Sequence, residues 1–194
     1  MGNFANFMIA ASNSERKRLE AVQLSYKSLD EAYSKWKQNV IEGGYEMEGV
    51  YIHCGSDVFK PELIVKKFDR FDKPSGLWAS PEDSDLGWRE WCEAEDFRSE
   101  EELSKSFKFK LKGSARVLHI RHLRDVEPFT TLNPKSIVLD GRELDLNRIY
   151  SEFDAMEVHL SDNWCELHKT ILFYSWDVDS IVVWNPDVIE VINS

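Results

Sequence analysis

The pattern of apolar positions divides the chain near residue 45 into a long helix followed by shorter elements. Within residues 14–41, apolar side chains recur at spacings of three and four, which is typical of one helix face. They are Leu19, Val22, Tyr26, Leu29, Tyr33, Trp36 and Val40. Ser14 is suited to cap the start of this helix, and the pair of glycines after it is a stop signal. We therefore predict a helical extension over residues 1–45 and a domain over residues 46–194.

The apolar stripe of this helix fits two kinds of contact. It can pack on the body of the domain, or it can form the seam of a dimer through residues 14–41, because the repeat also fits heptads. Four heptads are short for an independent coiled coil, so packing on the domain is favoured.

Beyond residue 45 the pattern predicts more strands than helices. Short apolar or alternating runs bounded by turn residues predict strands in 48–53, 76–80, 107–111, 115–120, 155–161, 179–184 and 187–192. Helical spacing predicts helices in 86–97, opened near Ser84 or Asp85, and in 100–106, 143–154 and 162–175. Closely spaced strands with interspersed helices predict the α+β class.

The acidic composition limits the classes of partner. The chain carries 35 acidic and 24 basic residues, a formal net charge of −11. Non-specific nucleic-acid binding needs a basic surface to neutralise phosphates, so this composition argues against it. A local group of backbone amides can still hold a small anionic ligand.

Cysteine usage and hydropathy predict a soluble, cytoplasmic protein. The three cysteines, Cys54, Cys92 and Cys165, are an odd number without a CxxC pair, which favours a reducing compartment. The N-terminal segment lacks the charged start of a signal peptide. No apolar run approaches the length of a membrane span.

Candidate chemistry is concentrated in three separated segments. "HCGS", from His53 to Ser56, places a histidine at the end of a strand and a turn directly after it. "KPSGLWASPEDSDLGWREWC" runs from Lys73 to Cys92, and "WDVDSIVVWNPDVIEVI" runs from Trp176 to Ile192. In this order the segments resemble the core of the ADP-ribosyltransferase superfamily, in particular its His-Tyr-Glu branch of diphtheria-type toxins and poly(ADP-ribose) polymerases.

The resemblance covers about residues 48–192 and carries two conspicuous replacements. "GLWAS" resembles the family's Gly-Ile-Tyr strand, with Trp78 where tyrosine is usual. "DSIVVW" resembles its acid-bearing strand, with Asp179 where glutamate is usual. It implies a split β-sheet core, preceded here by the N-terminal helix, and a cleft that binds NAD as substrate.

The resemblance also implies roles for individual residues. His53 would anchor the ribose of NAD, Gly55 would let the backbone approach the carboxamide, Trp78 would stack on nicotinamide and Asp179 would be the catalytic acid. Further NAD-binding positions implied by the resemblance are Ser56, Ser80, Ser84 and Trp88. Asp177 corresponds to the first acid of the ExE pair of arginine-modifying members, which contacts the acceptor.

The function that follows is an NAD-dependent ADP-ribosyltransferase acting on a protein or nucleic-acid acceptor. Cleavage of the nicotinamide–ribose bond develops an oxocarbenium-like cation, which a nearby carboxylate stabilises. Two alternatives stay open. One is a catalytically inactive binding or inhibitor protein that docks through its acidic surface, which the two replacements favour. The other is an NAD glycohydrolase on the same fold.

Two further motifs are interpreted as structural. His119 and His122 in "HIRH" lack a third ligand in their neighbourhood of the sequence, so we predict no metal site there. Cys54 follows His53 directly, and adjacent residues on a strand point to opposite faces, which argues against a catalytic Cys–His pair.

Overall fold

The computed structural model describes residues 49–64, 73–132, 142–167, 172–173 and 175–192. These residues form a seven-stranded sheet, a two-stranded sheet and several short helices. The predicted α+β class is confirmed at this level. The predicted helix over residues 14–41 and the extension over residues 1–45 lie outside the described residues.

Nine strands and five α-helices make up the described part of the chain. The strands are β1 (Tyr51–Cys54), β2 (Leu77–Pro81), β3 (Ser106–Leu111), β4 (Val117–Ile120), β5 (Thr130–Leu132), β6 (Arg142–Leu144), β7 (Ala155–Val158), β8 (Ser180–Val183) and β9 (Ile189–Ile192). The helices are α1 (Trp88–Ala94), α2 (Glu100–Ser104), α3 (Leu123–Val126), α4 (Leu146–Glu152) and α5 (Trp164–Leu167). Short 3-10 turns occur at Pro61–Leu63, Glu127–Phe129 and Pro186–Val188.

The large sheet is weakly joined in its middle. Its strand order is β4-β7-β8-β2-β1-β3-β9, with β4 and β7 parallel and every other neighbouring pair antiparallel. β1 and β3 pair over four residues, whereas β1 and β2 pair only at Tyr51 with Pro81 and at Ile52 with Ser80. The two halves of the sheet are therefore joined by only two residue pairs between β1 and β2. Beyond these pairs, β1 and β2 leave space between them.

The two faces of the sheet carry separate hydrophobic clusters. One cluster includes Phe109, Ile181 and Val183, and the other includes Met156 and Val182. Because successive side chains of a strand point to opposite faces, neighbouring residues of β7 and β8 contribute to different clusters. A sheet covered on both faces explains why β7 and β8 are buried at every position.

The helices begin where side chains satisfy their first amide groups. The Ser99 hydroxyl and the Glu102 carboxylate form a capping box at the start of α2, as the sequence of residues 100–106 predicts. The prediction for α1 is wrong at its start, because the helix begins at Trp88 and not near Ser84. In residues 143–154 the first residues belong to β6, and Asp145 caps α4.

Among the described residues, no helix combines the length and apolar character that crossing a membrane requires.

Candidate functional site

A cavity of about 550 Å³ lies where β1 and β2 separate. Residues from β1, β2, α1 and α2 line it, together with residues on either side of Asp179. Of the residues predicted for NAD binding, five line this cavity: His53, Gly55, Trp78, Ser80 and Trp88. Residues from all three sequence segments therefore line one space.

His53 lies within β1, and its side chain bonds to the backbone of β2 beyond the last paired residues of these two strands. The ring Nδ1 donates to the carbonyl oxygen of Trp78 at 2.7 Å, since a carbonyl can only accept. Burial lowers the pKa of His53, and the hydrogen bond to Trp78 opposes this only in part. The imidazole is therefore neutral near pH 7, with its proton on Nδ1 and an acceptor lone pair on Nε2.

Gly55 turns the chain away from the sheet directly after β1. Its φ of +121° is a conformation that side-chain-bearing residues rarely adopt. Its amide donates to the carbonyl oxygen of Lys105 at 2.7 Å, which ties the turn to the end of α2. Ser56 lies beyond the cavity lining, and its hydroxyl donates locally to the Val58 carbonyl at 2.8 Å.

Two tryptophans supply flat apolar surface to the cavity. The ring of Trp78 packs at a tilt against Trp176, with centroids 4.7 Å apart. The Lys73 ammonium lies 5.5 Å from the Trp78 ring centroid, within range of a cation–π contact. Trp88 stacks on Trp91 at 5.2 Å, and of these two only Trp88 lines the cavity.

Ser80 positions α1 against the cavity. Its hydroxyl accepts a hydrogen bond from the Trp88 amide at 2.9 Å. Trp88 is the first residue of α1, and the preceding Gly87 has no side chain to cap it. Ser80 therefore acts as the cap from a different strand and fixes Trp88 beside the site.

Charged side chains at the cavity were not identified from the sequence. Lys73, Arg98, Lys105 and Glu102 all line it. Arg98 donates a hydrogen bond to Glu102 at 2.8 Å. The i,i+4 spacing of these two residues near the start of a helix is the one feature of the sequence that could have indicated their pairing. Burial lowers the pKa of Lys73, and nearby Asp177 opposes the shift. Among the described residues, three cations and one carboxylate line the cavity, so this lining is basic although the protein is acidic overall.

Asp179 lies outside this cavity, contrary to the arrangement that the resemblance implies. Its carboxylate is 2% exposed and accepts hydrogen bonds from the Ser84 hydroxyl and the Ser161 amide, each at 2.8 Å. Val178 and Ser180 on either side of it line the cavity. Asp179 directly precedes β8, which begins at Ser180, and its side chain points away from the cavity that its two neighbours line.

Ser84 shares this position with Asp179. Its hydroxyl donates to Asp179 and accepts from the Leu86 amide at 3.1 Å, so it stabilises the loop before α1 and does not line the cavity. Asp177 is partly exposed and does not line the cavity either. Its charge opposes the lowering by burial of the pKa of Lys73, which does line the cavity.

Cys54 lines the cavity without the features of a nucleophile. Burial raises the pKa of its thiol, and nearby Arg89 lowers that pKa only in part. Reactive cysteines need a depressed pKa and a base aimed at the sulfur. The Nδ1 of neighbouring His53 is already bonded to Trp78.

No family model matches the chain, and no curated protein or solved structure matches it at a significant level.

Proposed function

We propose that this protein binds NAD in the cavity between β1 and β2 and transfers ADP-ribose to a macromolecular acceptor. The observation that carries the proposal is the convergence of His53 and Trp78 on one basic cavity at the split of the sheet. Both belong to the motifs that resemble the ADP-ribosyltransferase superfamily.

The fixed tautomer of His53 suits recognition of a ribose. Its Nδ1 proton is committed to the Trp78 carbonyl, so Nε2 is left as an acceptor for a hydroxyl. Nε2 lies close to Gly55, where a side chain would add a methyl 3.9 Å from it. Glycine at this position keeps the approach to Nε2 open.

Aromatic and cationic groups suit the other parts of NAD. A nicotinamide ring can stack on Trp78, and the positive charge of the oxidised ring favours an indole face. The pyrophosphate needs cations, which Lys73, Arg98 and Lys105 supply. A cavity of about 550 Å³ is in the range of small-molecule and cofactor sites.

The transfer step requires a carboxylate near the ribose. Among the described residues, Glu102 is the only acid that lines the cavity. Hydrogen bonds from Ser99 and Arg98 hold the pKa of Glu102 below its ordinary value, which keeps it ionised. We therefore propose Glu102, ahead of the buried Asp179, as the group that stabilises developing positive charge.

The position of Asp179 favours a second candidate, an NAD-binding protein without transferase activity. In the family that the motifs resemble, the catalytic carboxylate corresponds to Asp179. If catalysis requires this carboxylate, its burial outside the cavity would let the protein bind NAD but not cleave it.

A transfer assay separates these candidates. The purified chain is incubated with NAD labelled in the ADP-ribose part and a cell lysate, and both nicotinamide release and labelled macromolecules are measured. We expect the wild type and Asp179→Asn to label macromolecules with ADP-ribose. Glu102→Gln should not label them. If a folded Asp179→Asn variant lost the labelling and Glu102→Gln kept it, Asp179 and not Glu102 would be the catalytic acid. Nicotinamide release without label would indicate a glycohydrolase, and neither product would favour the binding protein.

A further inference from the structure

A second polar cluster lies on the sheet face opposite Trp78. His119 of β4 pairs with Glu157 of the parallel strand β7, so their side chains project to the same face. His159 follows Glu157 by two residues and shares this direction. Met156 and Val158, the immediate neighbours of Glu157, pack in the cluster on the other face. The register of two strands therefore places two imidazoles and a carboxylate together.

The three side chains are close enough to hold one ion. Nδ1 of His119 lies 2.7 Å from Oε2 of Glu157, and Nε2 of His159 lies 3.2 Å from the same oxygen. The ligand atoms of all three residues lie within 4.8 Å of one another. In a tetrahedral zinc site with bonds of about 2.0–2.1 Å, neighbouring ligand atoms are about 3.3 Å apart. The observed separations, from 2.7 Å to at most 4.8 Å, include that spacing.

Burial leaves one ring nitrogen of this cluster, Nε2 of His159, without a hydrogen bond. The side chains of His119, Glu157 and His159 are only 13%, 6% and 17% exposed. This nitrogen lies 3.2 Å from Oε2 of Glu157, which is an ion-pair contact without the alignment of a hydrogen bond. A buried ring nitrogen without an aligned hydrogen bond costs free energy, and an ion bound there would satisfy it.

We propose that His119, Glu157 and His159 bind a zinc ion, with water in the fourth position. Two imidazoles and one carboxylate are a donor set that zinc accepts, and three protein ligands leave one position open. This site is distinct from the NAD cavity, whose lining does not include these residues.

The ion would also strengthen the edge of the sheet. β4 is the terminal strand of the large sheet, and β7 is its one neighbour in that sheet. His119 belongs to β4, whereas Glu157 belongs to β7 and His159 follows it, so one ion would crosslink the strands through three side chains. Zinc binding should therefore stabilise the fold, since the unfolded chain holds no such preformed site.

The test is a zinc titration of the intact chain after treatment with a chelator and dialysis. Zinc is titrated in competition with a chromophoric chelator, and the absorption spectrum of the cobalt-loaded protein reports the coordination geometry. We expect one zinc per chain and a cobalt spectrum of four-coordinate type. His159→Gln should weaken zinc binding by more than the roughly 10–100-fold that loss of an outer-shell partner costs.

His122→Gln provides the matched control. His122 also lies beside a carboxylate, Glu166, at 3.3 Å, but it belongs to no group of three potential ligands among the described residues. This variant should bind zinc as the wild type does. Wild-type protein that fails to bind one zinc would overturn the proposal, even if His159→Gln does not fold. Equal zinc affinity in folded His159→Gln and wild type would also overturn it, because it would show binding elsewhere on the acidic surface.

Discussion

The residue before β2 offers a demanding test of the sheet that positions Trp78. A Cβ added at Gly76 would lie 2.6 Å from the carbonyl oxygen of Val183 and 2.8 Å from Cγ2 of Val182. Ordinary contacts begin at 3.4 Å, so β2 or β8 would have to move by roughly 0.8 Å. The obstacle is backbone in the middle of a paired sheet, which cannot rotate away as a side chain can.

The expected cost follows from these contacts. Overpacking of this kind costs about 1–3 kcal/mol, and a backbone obstacle places Gly76→Ala near 3 kcal/mol. Replacing glycine by alanine returns up to about 1 kcal/mol by restricting the unfolded chain. A net loss of about 2 kcal/mol remains, which should lower the melting temperature by roughly 4–8 °C in a chain of this size.

Gly113→Ala is the control, because a Cβ there would meet nothing within 4 Å. Both variants are unfolded in urea with tryptophan fluorescence as the signal, and the free energies of unfolding are compared. We expect Gly113→Ala within about 1 kcal/mol of the wild type. A Gly76→Ala variant no less stable than Gly113→Ala would refute the β2–β8 packing.

Three further predictions concern the site and the fold. Gly55→Ala should cost about 1–3 kcal/mol through its φ of +121°, without a steric clash, and should weaken NAD binding; urea unfolding and calorimetry measure the two effects. Asp179→Asn should lower the free energy of unfolding by about 2 kcal/mol while NAD affinity stays unchanged, and a loss of affinity in the folded variant would contradict its placement outside the cavity. Burial raises the pKa of Asp154, but hydrogen bonds from Arg116 and Asn185 outweigh it and lower that pKa overall. Its stabilisation is therefore present above about pH 4 and should be lost as the pH falls further, so unfolding free energies measured at decreasing pH should converge for wild type and Asp154→Asn.

Local patterns predicted the seven strands of the large sheet because each of them carries its own signal, whereas β5 was not predicted and β6 overlaps a segment predicted as a helix. "FKFKL" alternates, and β3 buries Phe107, Phe109 and Leu111 as that alternation requires. The turn at Asn185 separates β8 from β9 as expected, since the Asn185 side chain caps the following 3-10 turn. His53 and Trp78, which belong to two of the motifs, both line the cavity.

Other features depend on long-range contacts that no local pattern encodes. Asp179 precedes β8, and its buried position depends on hydrogen bonds from Ser84 and Ser161, which are distant in the sequence. Lys105 lines the cavity beside the Gly55 turn, 50 residues earlier in the chain, to which its carbonyl is hydrogen-bonded.

The histidine cluster shows the same limit. "HIRH" suggested His122 as the partner of His119, which has no third ligand nearby in the sequence. The register of β4 against β7 instead brings His119 to Glu157, which is 38 residues away. Pairing between parallel strands connected by a long crossover leaves no trace in local spacing.

Calorimetric titration with NAD is the most direct test of the proposed function, with wild type, Trp78→Ala and Trp164→Ala compared. Trp164 is 40% exposed and lies outside the cavity lining, so it controls for loss of an indole. Stacking on an aromatic side chain contributes roughly 1–3 kcal/mol by alanine substitution, so Trp78→Ala should bind NAD about tenfold more weakly or worse. We predict one NAD site in the wild type and in Trp164→Ala. No binding by the wild type, or equal binding by a folded Trp78→Ala, would contradict the assignment of this cavity to NAD.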